Sequence, residues 1–354
     1  MSSHYTYQTS PYRMRLRADI LYQYQCGDPK QGTSDVHYFR AMPVSGPKSY
    51  PSRIAVVGDL GLTYNTTSTI EHLTSNHDPV LLLSDVSYAD LYLMNGTGSD
   101  CYYCSFPQTP IHESYQPRWD YWGREEQIKH QTFVAYSSQF AFPSKESKSS
   151  STLYYSFNAG GVHFIMLSAY TYYDRIARQY KWLEKDLAKV NRKVTPWLVA
   201  TWHPPWYSTY KAHYREDLLY KYKVDIVFNG HVHAYERSNK VYNYTLDPCG
   251  PVYITIGDGG NQEMMAITHA DEPGNCPKMP KRKGNFCWDL QPEYSVYRES
   301  SFGHGILELT LGLHLQVRNE THALWTWHQN KDSYRFAGDL IYIVRQPDKC
   351  PINS

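Results

Sequence analysis

Four apolar runs in this chain stop abruptly on an acid or an imidazole. They are "RIAVVGD" (53–59), "PVLLLSD" (79–85), "PWLVATWH" (196–203) and "VDIVFNGH" (224–231). Each is apolar at nearly every position rather than at every second one. Strands of that kind are covered on both faces, as in a parallel or mixed sheet flanked by helices. "RIARQYKWLEKDLAKVNR" (175–192) carries Ile176, Tyr180, Leu183, Leu187 and Val190 at spacings of 4, 3, 4 and 3, which marks one face of a helix. A second, short helix is expected near 214–222. "STLYYSF-NAGG-VHFIMLS" (151–168) predicts a hairpin. "GPVYITIGDGG" (250–260), "HALWTWHQ" (322–329) and "DLIYIVRQ" (339–346) predict further strands. The pattern is an α/β layered domain with β-rich ends.

The amino-terminal part reads differently. "DILYQYQCGD" and "DVHYFRAMP" alternate as two strands of a hairpin, and "PVSGPKSYPS" (43–52) reads as a linker. The segment before it is short against the roughly 100 residues of a seven-strand sandwich. It is therefore a small appendage or the remnant of a larger β domain. The chain's 354 residues suffice for one large domain plus a small one, and 41% hydrophobic content supplies a substantial core. A net charge of +1 leaves no electrostatic footprint for nucleic acid or an acidic membrane. The short runs "PKMPKRK" (277–283) and "SKESKSSS" (144–151) read as solvated loops.

No stretch approaches the roughly 18 consecutive apolar residues of a membrane span. The start, "MSSHYTYQTSPYRMRLRADI", lacks the apolar core of a signal peptide. Sequons at Asn65, Asn95, Asn243 and Asn319 lean towards a secreted origin. Seven cysteines are present; "CYYC" (101–104) has no second such pair to complete a zinc ribbon, so local disulfides in an oxidising compartment are expected, with one thiol left over.

The chemistry concentrates at the strand ends: Asp59 in "GDLG", Asp85 in "SDVSYAD", His203 in "TWHPPW", and His231 with His233 in "GHVH". Alone, an Asp after a strand is usually a turn residue and a His there a hydrogen-bonded loop residue. Together they form an ordered set at the carboxyl ends of strands, where open α/β sheets gather ligands. Carboxylate suits hard cations and imidazole suits zinc, iron and related ions. Asp85 lies centrally and is placed to bridge two ions, which about 4 Å apart can clamp both oxygens of a phosphoryl displacement. Tyr88 follows Asp85 by three residues, so a tight turn returns its phenol to the same ion.

"GDLGLT", "SDVSYAD", "VATWHPPWY" and "GHVHAYERS" resemble four of the five ordered motifs of the purple acid phosphatases, closest to the large, phytase-like plant members. The similarity runs from about Leu21 to Cys350, through "TLDPCGPVYITIGDGGN" and "RESSFGHGILE". It implies a metallophosphoesterase-like β-sandwich of mixed sheets flanked by helices over 47–354, preceded by a remnant of a fibronectin-III-like β domain over 1–46. By position it implies Asp59, Tyr88 and His233 on Fe(III), Asp85 as bridge, and His203 and His231 on a divalent Zn, Mn or Fe ion. It also implies a metal-bound hydroxide as nucleophile and His213 as general acid, with Glu216 near enough to orient it. The implied partner is a small phosphate ester, with neither nucleic acid nor membrane; a secreted location and a homodimer are compatible with it.

The family's third motif, Gly-Asn-His-Glu, has no counterpart where "WGREEQIKHQTFVAYS" (122–137) stands. Its Asn is a second-metal ligand, so impaired activity is expected; losing even a supporting partner costs about 10–100-fold. Ser84 replaces the glycine before Asp85, "HYREDLLYKYK" (213–223) and "NCPKMPKRKGNFCW" (275–288) are shortened, and "LTLGLHLQ" (309–316) reads as inserted. Three readings follow: an acid phosphatase, a non-catalytic metal-binding isoform, or an unstable splice product.

Overall fold

The structure, a computed structural model, describes residues 17–25, 27–28, 30, 32–42, 44–46, 52–61, 63–76, 80–83, 85–86, 142–209, 217–261, 263–267, 291–309, 321–331 and 337–350. In chain order the first elements are β1 (Leu21–Tyr24), β2 (Gly27–Asp28), β3 (Gly32–Thr33), β4 (His37–Arg40), β5 (Ser52–Val57), α1 (Tyr64–Asn76) and β6 (Val80–Leu82). Then come β7 (Tyr155–Ala159), β8 (Val162–Met166), α2 (Arg178–Leu187), β9 (Trp197–Thr201), α3 (Asp217–Lys221), β10 (Ile226–Asn229), β11 (Tyr235–Tyr242), β12 (Thr245–Leu246) and β13 (Val252–Ile256). The last are β14 (Ser295–Glu299), β15 (Gly303–Leu309), β16 (His322–Gln329) and β17 (Asp339–Val344).

Three of the four apolar runs form inner strands of two sheets, and the fourth, β6, ends its sheet among the described residues. One is ordered β12-β11-β13-β10-β9-β8-β7 with β14 beside β11; the other is ordered β17-β16-β15-β5-β6. Strands β8, β9, β10 and β13 run parallel, as do β5 and β6. The expected hairpin of β7 and β8 turns through Gly160 and Gly161, both at positive φ, which suits the right-handed twist of the flanking strands. The expected pairing of β1 with β4 is present too, and its faces are largely exposed.

Side chains alternate across each strand and fill three layers. Ile54 and Val56 of β5 meet Val199, Phe228, Ile254, Trp325 and Trp327 between the sheets. Their neighbours Ala55 and Val57 face outward onto Leu73 of α1. On the opposite outer face, Leu198, Ala200 and Val227 pack on Trp182, Leu183 and Leu187 of α2 and Leu218 and Leu219 of α3. Both faces of each central strand are thus covered, which accounts for the unbroken apolar runs. Truncating Trp325 or Phe228 to Ala in such a core costs about 3–5 kcal/mol.

Two expectations need correcting. Ile176 is exposed and lies outside the helix, because Asp174 Oδ1 accepts the Ile176 and Ala177 amides and holds the chain in a turn just before it. Gln179 is buried on the helix instead, donating to the Ser168 carbonyl and accepting the Ser168 amide. The disulfide among the described residues is not local: Cys249 joins Cys350 across 101 residues. The other five cysteines lie outside the described residues, as do 122–137, "PKMPKRK" and most of "LTLGLHLQ".

Candidate metal centre

The carboxyl ends of β5, β6, β9 and β10 meet at one end of the sandwich. After β5 the chain turns sharply at Gly58 and Asp59, and the loop after β13 is pinned onto that turn. The Gly259 amide donates to the Gly58 carbonyl at 2.9 Å, and the Asn261 amide to the Asp59 carbonyl at 3.0 Å. Beyond β6, the Leu83 amide donates to Val57, which brings Asp85 alongside. Trp202 donates to Phe228 and Gly230 to the His203 carbonyl, so the loops after β9 and β10 are zipped together.

Asp59, Asp85 and His231 have φ of 53°, 50° and 67°. That region is costly for side chains with a Cβ and persists at functional positions where the surrounding structure imposes it. Two glycines keep the space around Asp59 open. A Cβ on Gly230 would stand 2.5 Å from Asp59 Oδ1, and one on Gly257 would stand 2.7 Å from Oδ2.

Asp59, Asp85 and His203 each present a ligand atom within 4.8 Å of the others. Asp85 Oδ2 lies 3.0 Å from His203 Nε2. The His203 and His231 rings meet edge to face at 5.1 Å. His233 Nε2 stands 3.7 Å from Asp59 Oδ2, while its Nδ1 contacts the Met264 carbonyl at 3.1 Å. A proton on Nδ1 donated to that carbonyl turns the lone pair of Nε2 towards Asp59, the usual support of a ligating imidazole. The structure therefore brings together Asp59, Asp85, His203, His231 and His233; Tyr88, His213 and Glu216 lie outside the described residues.

The electrostatics point to a cation. Asp59 is fully buried, and its carboxylate oxygens have no partner with good hydrogen-bond geometry among the described residues, the His231 amide making only a weak approach. His203 Nδ1 and His233 Nε2 stand 3.9 and 3.7 Å from those oxygens, too far for hydrogen bonds. Burial, then the Asp85 charge, pushes the Asp59 pKa well above the carboxylate range, with the His231 backbone amide only partly opposing. Burial also raises Asp85, but the His203 hydrogen bond and the charges of His203, His231 and His233 outweigh it and hold that carboxyl low. A buried, unpartnered carboxylate is expensive unless a charge compensates it. Orphaned oxygen donors flanked by imidazoles fit a Zn, Fe or Mn ion.

Two groups were not singled out from the sequence. Asp258 is fully buried and accepts Trp327 Nε1 at 2.7 Å; burial pushes its pKa up to about 7. Glu263, more exposed, comes within 3.7 Å of His233 Nε2. The glycine-rich "GDGGNQE" after an apolar strand was the available signal for both.

Two family descriptions match: calcineurin-like phosphoesterase over residues 52–235, and iron/zinc purple acid phosphatase-like protein C over residues 250–336. Purple acid phosphatase 15 of Arabidopsis thaliana is 62% identical over 384 residues, covering 96% of this chain and 71% of the relative. That alignment is longer than this chain, so stretches of the relative have no counterpart here. Purple acid phosphatase 13 of the same plant is 52% identical, over 95% of this chain and 71% of its own length. The Fe(3+)-Zn(2+) purple acid phosphatase 12 is 35% identical, over 94% and 70%. Among solved structures, purple acid phosphatase PPD1 from yellow lupin seeds shares the fold, with a TM-score of 0.64 at 21% identity. That match covers 94% of this chain and 61% of the lupin chain. Across nearly its whole length, then, this chain belongs to the purple acid phosphatase family of calcineurin-like phosphoesterases.

Proposed function

We propose that this chain is an acid phosphatase that hydrolyses small phosphate monoesters at a two-metal centre. The observation that carries the reading is the buried Asp59 carboxylate, met only weakly by the His231 amide and facing two imidazoles beyond hydrogen-bond reach. Asp59, Tyr88, Asp85 and His233 would hold Fe(III), and Asp85, His203 and His231 would hold Zn, Mn or Fe(II). When bound, the ions supply positive charge to the phosphoryl oxygens and an activated water. The Met264 carbonyl keeps His233 oriented, and Gly230 and Gly257 keep the approach to Asp59 clear. His213 gives its proton to the leaving oxygen. Because free His titrates near pH 6.5, it is charged for that task in acid. The Cys249–Cys350 bridge agrees with secretion into an oxidising compartment.

The missing Gly-Asn-His-Glu motif favours a second reading, a non-catalytic form holding one ion through Asp59, Tyr88, Asp85 and His233. Hydrolysis of p-nitrophenyl phosphate between pH 4 and 7, measured beside iron and zinc content, separates the two. Two ions per chain with turnover, reduced about 10²–10⁴-fold by His213→Ala, supports the phosphatase. One ion without turnover supports the second reading. Absence of both metal and turnover refutes each.

A further inference from the structure

The candidate metal centre occupies one end of the sheets; the other end holds a cavity of about 300 Å³. It opens where β17 finishes beside the starts of β10 and β13. Asp225 lines it and Gly230 lies at the candidate centre, so roughly 17 Å of extended strand separates the two.

The walls are unevenly charged. Arg192, Lys223, Lys240 and Arg345 line the cavity against a single acid, Asp225, among the described residues. The surplus is local, since the whole chain carries a formal charge of only +1. Asp225 is already shared: Oδ2 accepts from Arg192 at 2.7 Å and from the Leu198 amide at 2.8 Å, and Oδ1 accepts from Arg345 Nε at 3.2 Å. Among the described residues Lys240 reaches a neutral acceptor, the Pro248 carbonyl, at 3.2 Å. The next acid, Asp247, takes the Tyr220 hydroxyl and the Cys249 amide. Burial lowers the Lys240 pKa; the Arg345 charge adds to this, and Asp225 and Asp247 oppose it.

Part of the lining is apolar, from Pro248, Val344 and Pro347, and the Cys249–Cys350 bridge fixes the wall covalently. A preformed, partly apolar cavity of this size with few convergent polar groups suits a small organic ligand, and the charge selects its sign. We propose that this cavity binds a small organic oxyanion, a phosphate or carboxylate group on an apolar body, at a site separate from the candidate metal centre. The acidic group meets Lys240 and Arg345, and the body lies on Val344 and Pro347. The proposal stands whether or not the chain turns over phosphate esters.

Calorimetric titration of the full chain, freed of metal by a chelator, tests it with phenylphosphonate, whose C–P bond a phosphoesterase does not cut, and with inorganic phosphate. The expected result is one site per chain, tighter for phenylphosphonate, weakened about tenfold or more by Lys240→Gln and unchanged by Asp59→Asn. If Lys240→Gln does not melt cooperatively like the wild type, Lys240→Met takes its place with the same criterion. No binding, binding that the lysine variant leaves intact, or binding that Asp59→Asn abolishes overturns the proposal.

Discussion

Two buried carboxylates are handled in opposite ways. Asp339 is satisfied within the chain: Arg237 donates Nε to Oδ2 at 2.5 Å and a terminal nitrogen to Oδ1 at 3.0 Å, and the Tyr235 hydroxyl adds a bond at 2.7 Å. Trp325 Nε1 donates to that hydroxyl in turn, so the network ties β11 of one sheet to β16 and β17 of the other. Asp59 is at least as buried and has no such set. A buried charge with a full set of internal partners serves the fold; one without them needs its counter-charge from outside the polypeptide.

Breaking the satisfied side has the largest effect. Arg237→Ala strands Asp339 and lowers stability by about 3–5 kcal/mol in denaturant unfolding, while metal bound per folded chain stays at the wild-type level. A loss of metal in step with stability would erase the distinction between the two carboxylates.

Asp258 sharpens the comparison through pH. Its folded pKa of about 7 lies above the unfolded value of 3.8, so its favourable contribution is full below about pH 4 and lost as pH rises to about 7. In metal-free protein this tilts stability by up to about 4 kcal/mol across that window, and Asp258→Asn flattens the tilt. His304 has the opposite sign. Burial, then the His328 and His72 charges, lowers its pKa to about 3. Its contribution is full above about pH 6.5 and is lost as pH falls towards 3, so His304→Gln protects the acid side. Chemical denaturation at stepped pH reads both, and two variants tilting the curve the same way would contradict these assignments.

On the unsatisfied side, Asp59→Asn removes an acid whose ionisation burial opposes in the metal-free chain. Metal-free protein is expected to gain about 1–3 kcal/mol, while metal affinity falls at least about 10–100-fold. The smallest effect belongs to Glu263, a partly exposed acid at 3.7 Å from His233: Glu263→Gln should change stability by less than about 1 kcal/mol. A large loss of metal there would promote Glu263 to a ligand.

The sequence makes the central strands legible because Val56, Val199, Phe228 and Ile254 have to be covered on both faces, which leaves no polar alternation. Asp59, Asp85, His203, His231 and His233 are legible because each stands where such a run ends. Other features depend on side-chain contacts that periodicity alone does not encode. Ile176 fits a helical spacing, yet the Asp174 side chain stops the helix short of it. The Cys249–Cys350 pairing spans 101 residues, and cysteine spacing alone does not specify connectivity. The elevated pKa of Asp258 comes from its burial, and the basic cavity is assembled from segments that meet only in the fold.

Metal retention is the most direct test of the claim that Asp59 takes its counter-charge from a bound ion. Wild type and Asp59→Asn are loaded with iron and zinc, dialysed together and measured by elemental analysis. Wild type should keep its metal while the variant keeps at least about tenfold less; equal retention, or none by the wild type, would contradict the account.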